Sequence, residues 1–222
     1  MADWFVTARR HPSAVLLAVQ LLGVLAYPFM HDSASGRTLL SLFSMTVLLL
    51  AVWAVRNTPA LGWVAILIGV PTVAFTILEA FYVENGSVIL ASSLLHATFY
   101  FYTANGLIRY MFDDQRVTVD ELYATGAAFT VVAWAFAYLF MAVQIVWPGS
   151  FIAALDSDAP RTWFELLYLS FTTLTSTGLA DVQPVRPHAR SLVMLEQVAG
   201  LMYVALVVTR LVGLTLTRAR SR

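Results

Sequence analysis

The sequence contains no cysteine and no lysine, and charged residues make up only 12% of its 222 residues. Without cysteine there is no disulfide framework and no thiolate metal site. Thirteen arginines balance thirteen acidic residues, so the net charge of zero gives no argument for nucleic-acid binding. The four histidines are scattered without the spacing of metal ligands. We therefore expect no enzyme active site, no cofactor and no nucleic-acid partner.

Apolar residues, in contrast, make up 59% of the chain. This fraction is too high for a soluble domain of this length and places the protein in a lipid bilayer. A helix needs about 20 apolar residues to cross the hydrocarbon core. Runs of this kind predict six transmembrane helices, at residues 13–30, 38–56, 62–83, 87–108, 122–147 and 188–217.

Arginines mark alternate connections between these predicted helices. Because positive charges are enriched in cytoplasmic loops, this alternation predicts that both termini are cytoplasmic. No small-residue cleavage site follows the first apolar run, so we interpret it as a retained helix rather than a signal peptide. The arginines that set this orientation are Arg9, Arg10, Arg56, Arg109, Arg116, Arg218, Arg220 and Arg222.

The long connection at residues 148–187 differs from an ordinary loop. The apolar pattern from Arg161 to Thr175 predicts a helix that follows a proline and is too short to cross the membrane. It must therefore re-enter the same face. A polar run from Thr172 to Asp181 follows directly, and irregular backbone at membrane depth is tolerated where it borders a water-filled path. An ion pathway satisfies that requirement.

These residues resemble the pore of potassium channels, in which a pore helix precedes Thr-Val-Gly-Tyr-Gly-Asp, then a proline and an inner helix. Residues 176–181, Ser-Thr-Gly-Leu-Ala-Asp, occupy the filter positions, and Pro184 stands at the expected interval. Arg190 opens the inner helix, and Gly200 falls at its hinge-glycine position. The resemblance covers residues 122–218. Hydrogen bonding between helices is the alternative reading of the Ser-Thr run.

The resemblance implies an all-α membrane protein with a re-entrant pore helix and filter loop between helices five and six. It implies a four-fold homotetramer in the cell membrane, bacterial inner membrane by likeness to bacterial channels. Residues 1–121 would form a four-helix sensor-like module and residues 122–222 the pore module. The implied function is a cation channel that passes potassium, and also sodium if the filter is weakly selective. The lipid bilayer and the other copies are its expected partners, and the gating ligand is not indicated.

The same resemblance assigns roles in the filter. Ser176 supplies a ring of hydroxyls, and the carbonyls of Ser176, Thr177, Gly178 and Leu179 supply the potassium sites. Tyr168, Thr172 and Asp181 support the filter, with Tyr168 or Thr172 as the partner of Asp181. Solvation of Asp181 as a loop charge is the alternative.

Ala180 stands where the family has its second glycine. The glycine conformation costs an L-residue roughly 1–2 kcal/mol, so we expect strain at Ala180 and a distorted outer filter. Three outcomes stay open: a potassium-selective pore, a weakly selective pore and a filter that does not conduct. In the last case the protein would be a membrane sensor or scaffold. On this basis Ala180→Gly is expected to raise potassium selectivity.

One stripe of the inner helix has the spacing of a single helix face. Its residues either line the cavity and gate or pack against other helices, and Gly200 either bends the helix or allows close packing. The residues concerned are Gly200, Leu201, Val204, Val208 and Val212.

The first four spans resemble a voltage-sensing module in number only. Residues 87–107 contain no arginine or lysine, so we expect no gating by charges of the fourth helix. Glu79 is either a functional intramembrane carboxyl or an interfacial one, and His96 is either a packing residue or a proton sensor. A membrane enzyme or transporter would need paired intramembrane charges or a repeat, and neither is clear.

Overall fold

The computed structural model describes residues 11–30, 43, 45–53, 62–82, 85–113, 118–154, 156 and 159–220. For residue 30 and residues 211–220 it describes the backbone only. The chain divides into two compact units, Met1–Val132 and Ala133–Arg222. The predicted division into a sensor-like module at residues 1–121 and a pore module at residues 122–222 stays a prediction.

The helices fall where the apolar runs predict them. Residues 45–53 are also helical. Among the described residues, the helices that begin at Pro12, Gly62, Val119 and Pro187 are long and apolar enough to cross a membrane. Three predictions remain untested: the count of six membrane spans, the re-entry of the short helix and the tetramer. The helices are α1 Pro12–Met30, α2 Gly62–Phe81, α3 Gly86–Phe112, α4 Val119–Val146, α5 Trp163–Leu174 and α6 Pro187–Arg220.

In the first unit, α4 fixes the amino end of α1. The buried carboxylate of Asp120 accepts hydrogen bonds from the backbone N–H of Ser13, at 3.2 Å, and from its hydroxyl, at 2.9 Å. An anion at this position is favourable because the first N–H groups of a helix lack partners. Glu121 and Thr118 form a capping box at the start of α4.

Helices α2 and α3 pack together around His96, which is almost fully buried. Its ring nitrogens lie 2.8 Å from the Ser92 carbonyl and 3.2 Å from the Thr76 hydroxyl. These contacts fit the interpretation of His96 as a hydrogen-bonded packing residue. Glu79 of α2 is half-buried. Its role stays open.

The predicted orientation rests on residues that lie mostly outside the described part of the chain. Arg9, Arg10, Arg56, Arg116 and Arg222 belong to this group. The cytoplasmic location of both termini therefore stays a prediction.

In the second unit, the connection from α4 to α6 contains a small sheet that the sequence did not indicate. Strands β1 Phe151–Ala153 and β2 Val182–Pro184 pair antiparallel, with Ile152 opposite Gln183. Gly149 has a φ of 72°, which a glycine adopts without steric cost, in the turn between α4 and β1. The sheet ties the chain that follows the predicted filter to the chain that leaves α4.

Candidate functional site

The short helix α5 is fixed at its start by two sets of hydrogen bonds. Thr162 and Glu165 form a capping box, in which each side chain satisfies a free backbone N–H of the other residue. Gln144 of α4 accepts from the Arg161 N–H at 2.6 Å and donates to the Arg161 carbonyl at 2.9 Å. The helix predicted at residues 161–175 is therefore confirmed at Trp163–Leu174. At about 1.5 Å per residue its 12 residues span about 18 Å, too short to cross a bilayer.

The start of α5 also packs against aromatic side chains of α4. The Trp163 ring meets Trp134 edge to face, with ring centroids 5.3 Å apart, and lies 5.4 Å from the ring of Tyr138. Aromatic pairs at this separation contribute about 0.5–1.5 kcal/mol beyond the area they bury. Together with the hydrogen bonds of Arg161, they fix where α5 begins relative to α4.

The other end of α5 closes in a Schellman motif, a helix end that normally uses glycine. The N–H of Ser176 donates to the Thr173 carbonyl at 3.0 Å, and the N–H of Thr177 donates to the Thr172 carbonyl at 2.9 Å. Ser176 occupies the left-handed position, with a φ of 58°. A non-glycine residue there costs roughly 1–2 kcal/mol. Strain of this kind concentrates at functional sites.

The expectation of strain at Ala180 is wrong. In the segment from Ser176 to Ala180, the residues with left-handed φ are Ser176 and Gly178, at 58° and 69°. Ala180 needs no glycine conformation because the left-handed turns fall earlier, where the chain leaves α5. The Ala180→Gly substitution therefore has no strained backbone to relax.

Residues 175–179 are exposed in the single chain, and residue 180 is half-buried. The Thr175 and Thr177 hydroxyls lie 2.8 Å apart, and the Thr175 hydroxyl also donates to the Phe171 carbonyl at 2.7 Å. A cluster of hydroxyls thus follows directly on the carboxyl end of α5. That end carries a partial negative charge from the helix dipole, which favours cations.

Tyr168 supports the predicted filter through its hydroxyl, which donates to the Leu179 carbonyl at 2.7 Å. The Thr172 hydroxyl donates to the Leu169 carbonyl within its own helix, at 2.9 Å. Neither hydroxyl bonds to Asp181, which is exposed. The support thus reaches the filter at Leu179, a carbonyl predicted to face ions, and not at the aspartate.

Beyond the filter, the chain is held by β2 and by Arg190. The Arg190 guanidinium donates to the Pro184 carbonyl at 3.2 Å, and the Val185 N–H donates to the Ser150 carbonyl at 2.9 Å. The Trp147 ring stacks on His188 at 4.1 Å between centroids. Both ends of residues 175–181 are thus anchored, at α5 before it and at β2 after it.

Helix α6 turns one face to α5 and leaves other faces exposed. Ala189, Val193, Glu196 and Gly200 are buried at helical spacing. A Cβ built on Gly200 would lie 2.1 Å from the Leu174 carbonyl oxygen. The close-packing role of Gly200 is thus visible in the structure, and its role as a hinge stays a prediction.

The predicted cavity stripe is exposed where the structure describes its side chains. Leu201 is 68% exposed, Val204 49% and Val208 53%. The Val212 side chain lies outside the described residues. In the single chain these apolar side chains have room to face a cavity or another copy.

Residues 126–216 match the family model for ion channels. These residues belong to an ion-channel pore family. The matched segment contains the carboxyl part of α4, all of α5, the candidate filter and nearly all of α6 in one stretch. No curated protein and no solved structure matches the chain. With its apolar helices, the protein is a multi-pass membrane protein that carries an ion-channel domain.

Sequence reasoning missed one polar residue of this channel domain, Glu196. Its side chain is 0% exposed and lies within hydrogen-bond distance of the Ser170 hydroxyl of α5. A signal was present, because Glu196 is the lone acidic residue between Asp181 and the last residue of the chain. The argument that made Glu79 conspicuous, a carboxyl within an apolar span, applies to Glu196 equally.

Proposed function

We propose that four copies of this chain form a cation channel that passes potassium across the cell membrane through residues Ser176 to Ala180. The observation that carries the proposal is the junction at the end of α5. There, the negative end of a helix dipole meets a run of exposed hydroxyl and carbonyl groups, within a segment that matches ion channels. Rings of such oxygens replace the water shell of a permeating cation.

One filter segment per chain supports the homotetramer. A single segment supplies a quarter of the oxygens needed to surround an ion, and residues 175–179 are exposed in the single chain. Particle images or cross-linking of the purified protein are expected to give a four-fold particle. A stable monomer or dimer as the predominant species would contradict this part of the proposal.

The proposed ion sites consist of hydroxyl and carbonyl oxygens of residues 176–179. The Ser176 hydroxyl and the carbonyls of Ser176, Thr177 and Gly178 form the inner sites. The Leu179 carbonyl, which the Tyr168 hydroxyl of the same chain holds in place, forms the outer site. We therefore propose that potassium is preferred over sodium and that this preference depends on the hydrogen bond from Tyr168 to the Leu179 carbonyl.

A pair of glycines tests the assignment of the filter. Gly178 and Gly149 have nearly equal left-handed φ values, 69° and 72°, and an added Cβ would lie 3.9 Å or more from other residues at both. Alanine should therefore cost each site roughly 1–2 kcal/mol of backbone strain. Only Gly178 lies in the proposed ion path.

The experiment is potassium flux into liposomes that contain purified protein. Gly178→Ala is expected to lower flux by at least about tenfold, because the strain displaces the carbonyls that bind ions, while Gly149→Ala keeps flux within about twofold. Equal flux in the two variants would contradict the assignment of the path. A folded four-fold particle of wild type without flux would favour the alternative, a non-conducting membrane sensor or scaffold.

A further inference from the structure

Glu196 is a fully buried carboxyl in α6, a helix long and apolar enough to cross a membrane. An ionised carboxylate in such a place is costly unless a cation or several hydrogen-bond donors compensate it. Within the described residues, no arginine or histidine forms an ion pair with Glu196. The Ser170 hydroxyl is its hydrogen-bonding partner, and its Oε2 has none.

The number of hydrogen atoms around Ser170 indicates whether the Glu196 carboxyl is protonated or ionised. Ser170 Oγ lies 2.8 Å from the Ala133 carbonyl of α4 and within hydrogen-bond distance of Glu196 Oε1. A hydroxyl has one hydrogen, and a carbonyl can only accept. If the carboxyl is protonated, Glu196 donates to Ser170 and Ser170 donates to Ala133, so both contacts are hydrogen bonds. If the carboxyl is ionised, Ser170 can donate its hydrogen either to Glu196 or to the Ala133 carbonyl, but not to both. The buried negative charge then has at most one hydrogen-bond donor.

We propose that Glu196 is protonated in the folded channel and is the positioning residue that connects the inner helix to the pore helix. The effect of Glu196 on flux rests on the proposed channel function, whereas its protonation does not. Through Ser170 and the Ala133 carbonyl, the carboxyl links α6, α5 and α4 at one point. One turn further along, Gly200 of α6 touches Leu174 of α5, two residues before the strained Ser176. A shift of α6 at Glu196 therefore reaches the start of the filter.

Loss of the proton would place an uncompensated charge at this three-helix contact. The polar group that contacts Glu196 is the Ser170 hydroxyl from α5, which in turn lies 2.8 Å from the Ala133 carbonyl of α4. Within the described residues, no titratable side chain of either helix contacts the carboxyl. Alkaline conditions are therefore expected to separate α6 from α5 and to lower flux.

Infrared spectroscopy of the full-length protein in liposomes tests protonation without relying on conduction. At neutral pH the wild-type minus Glu196→Gln difference spectrum is expected to contain the carbonyl-stretch band of a protonated carboxyl. The same band should survive in Glu79→Gln, which removes a membrane carboxyl of the first unit. Ser170→Ala should shift the band, since it removes the hydrogen-bond partner of the carboxyl. This variant replaces Glu196→Gln in the test if Glu196→Gln does not fold. A carboxylate band in the difference spectrum, or no shift in Ser170→Ala, would overturn the proposal.

The pH profile of potassium flux tests the positioning role. Glu196→Leu, which has no donor for Ser170, is expected to lower flux by about tenfold at neutral pH. Glu196→Gln, whose amide donates to Ser170 but does not titrate, should restore most of it and abolish the alkaline loss. An unchanged alkaline loss in Glu196→Gln, or wild-type flux in Glu196→Leu, would overturn the role. Absence of flux in folded wild type would instead refute the proposed function, while the infrared result still decides protonation.

Discussion

At the scale of single residues, Ser176 and Tyr168 determine the shape of the candidate filter. Ser176 holds a left-handed backbone conformation that helix ends usually reserve for glycine, and it carries the hydroxyl predicted to face ions. Tyr168 holds the Leu179 carbonyl from the side of α5. The strain at Ser176 is consistent with a functional hydroxyl, since glycine would fit the backbone better but has no side-chain oxygen.

Substitutions of Ser176 separate its backbone from its hydroxyl. Ser176→Gly and Ser176→Ala both remove the hydroxyl, but only glycine removes the left-handed strain. We expect Ser176→Gly to be more stable than Ser176→Ala by about 1 kcal/mol per chain in thermal unfolding of the purified protein. Both variants should lose potassium flux relative to wild type. Equal stability of the two variants would show that the left-handed conformation carries no strain.

Removal of the Tyr168 hydroxyl should loosen the outer filter. Tyr168→Phe loses one hydrogen bond, with a net contribution of about 0.5–1.5 kcal/mol, so potassium-to-sodium selectivity should fall by roughly two- to tenfold. Selectivity is measured from reversal potentials in mixed gradients. Tyr123→Phe, at an exposed tyrosine of the first unit, is the control and should match wild type. Wild-type selectivity in Tyr168→Phe would show that the bond to Leu179 does not hold the filter.

At the scale of elements, α5 and α6 contact each other through two pairs with the same spacing. Ser170 meets Glu196, and Leu174 meets Gly200, each pair one helical turn from the other. The polar pair fixes orientation, and the glycine allows the two backbones to approach. Both contacts lie on the carboxyl half of α5, where the helix passes into the filter.

Gly200→Ala should disrupt this contact. The added Cβ would lie 2.1 Å from the Leu174 carbonyl oxygen, and a backbone atom cannot move aside as a flexible side chain can. We expect destabilisation of about 1–3 kcal/mol and a strong loss of flux.

Gly69→Ala in α2 is the matched control, because its Cβ would meet a ring atom of Phe99 at 3.2 Å. Both substitutions gain about 1 kcal/mol of helix propensity, so their difference isolates the clash. If Gly200→Ala were as stable as Gly69→Ala, the close packing of α5 and α6 would be contradicted.

The helices of this protein follow from local patterns, and so does the position of the candidate filter. Apolar runs and the short helix before a polar run are visible in sequence because each depends on neighbouring residues. The left-handed Ser176 was not predictable, because the signal for that conformation is normally glycine. The pairing of β1 with β2 was not predictable either, because each strand has only three residues, too few to show an alternating pattern. Glu196 was visible as a lone acid, but its partner Ser170 depends on how two helices meet.

At the scale of the whole molecule, the groups proposed to form the ion path and the cavity are exposed in one chain. Residues 175–179 are exposed, and so are Leu201, Val204 and Val208 of α6. A four-fold assembly would place these groups around one axis, which is the arrangement that a filter and cavity require. The channel domain lies in the last part of the chain, and the first unit supplies further apolar helices, in which residues 87–107 contain no arginine or lysine.

The absence of arginine and lysine from residues 87–107 predicts that opening depends weakly on voltage. Each elementary charge moved through 100 mV contributes about 2.3 kcal/mol, and this span offers no such charge. Recordings in planar bilayers over a range of voltages should show a shallow change of open probability. Steep activation, with several gating charges per chain, would contradict this prediction.

The reversal potential of wild-type current, with potassium chloride on one side of the bilayer and sodium chloride on the other, tests the central proposal most directly. We expect a reversal potential displaced towards the potassium equilibrium potential, because the oxygens of Ser176, Thr177 and Gly178 replace the water shell of potassium better than that of sodium. A reversal potential at zero, or displaced towards the sodium equilibrium potential, would contradict the proposed potassium-selective channel.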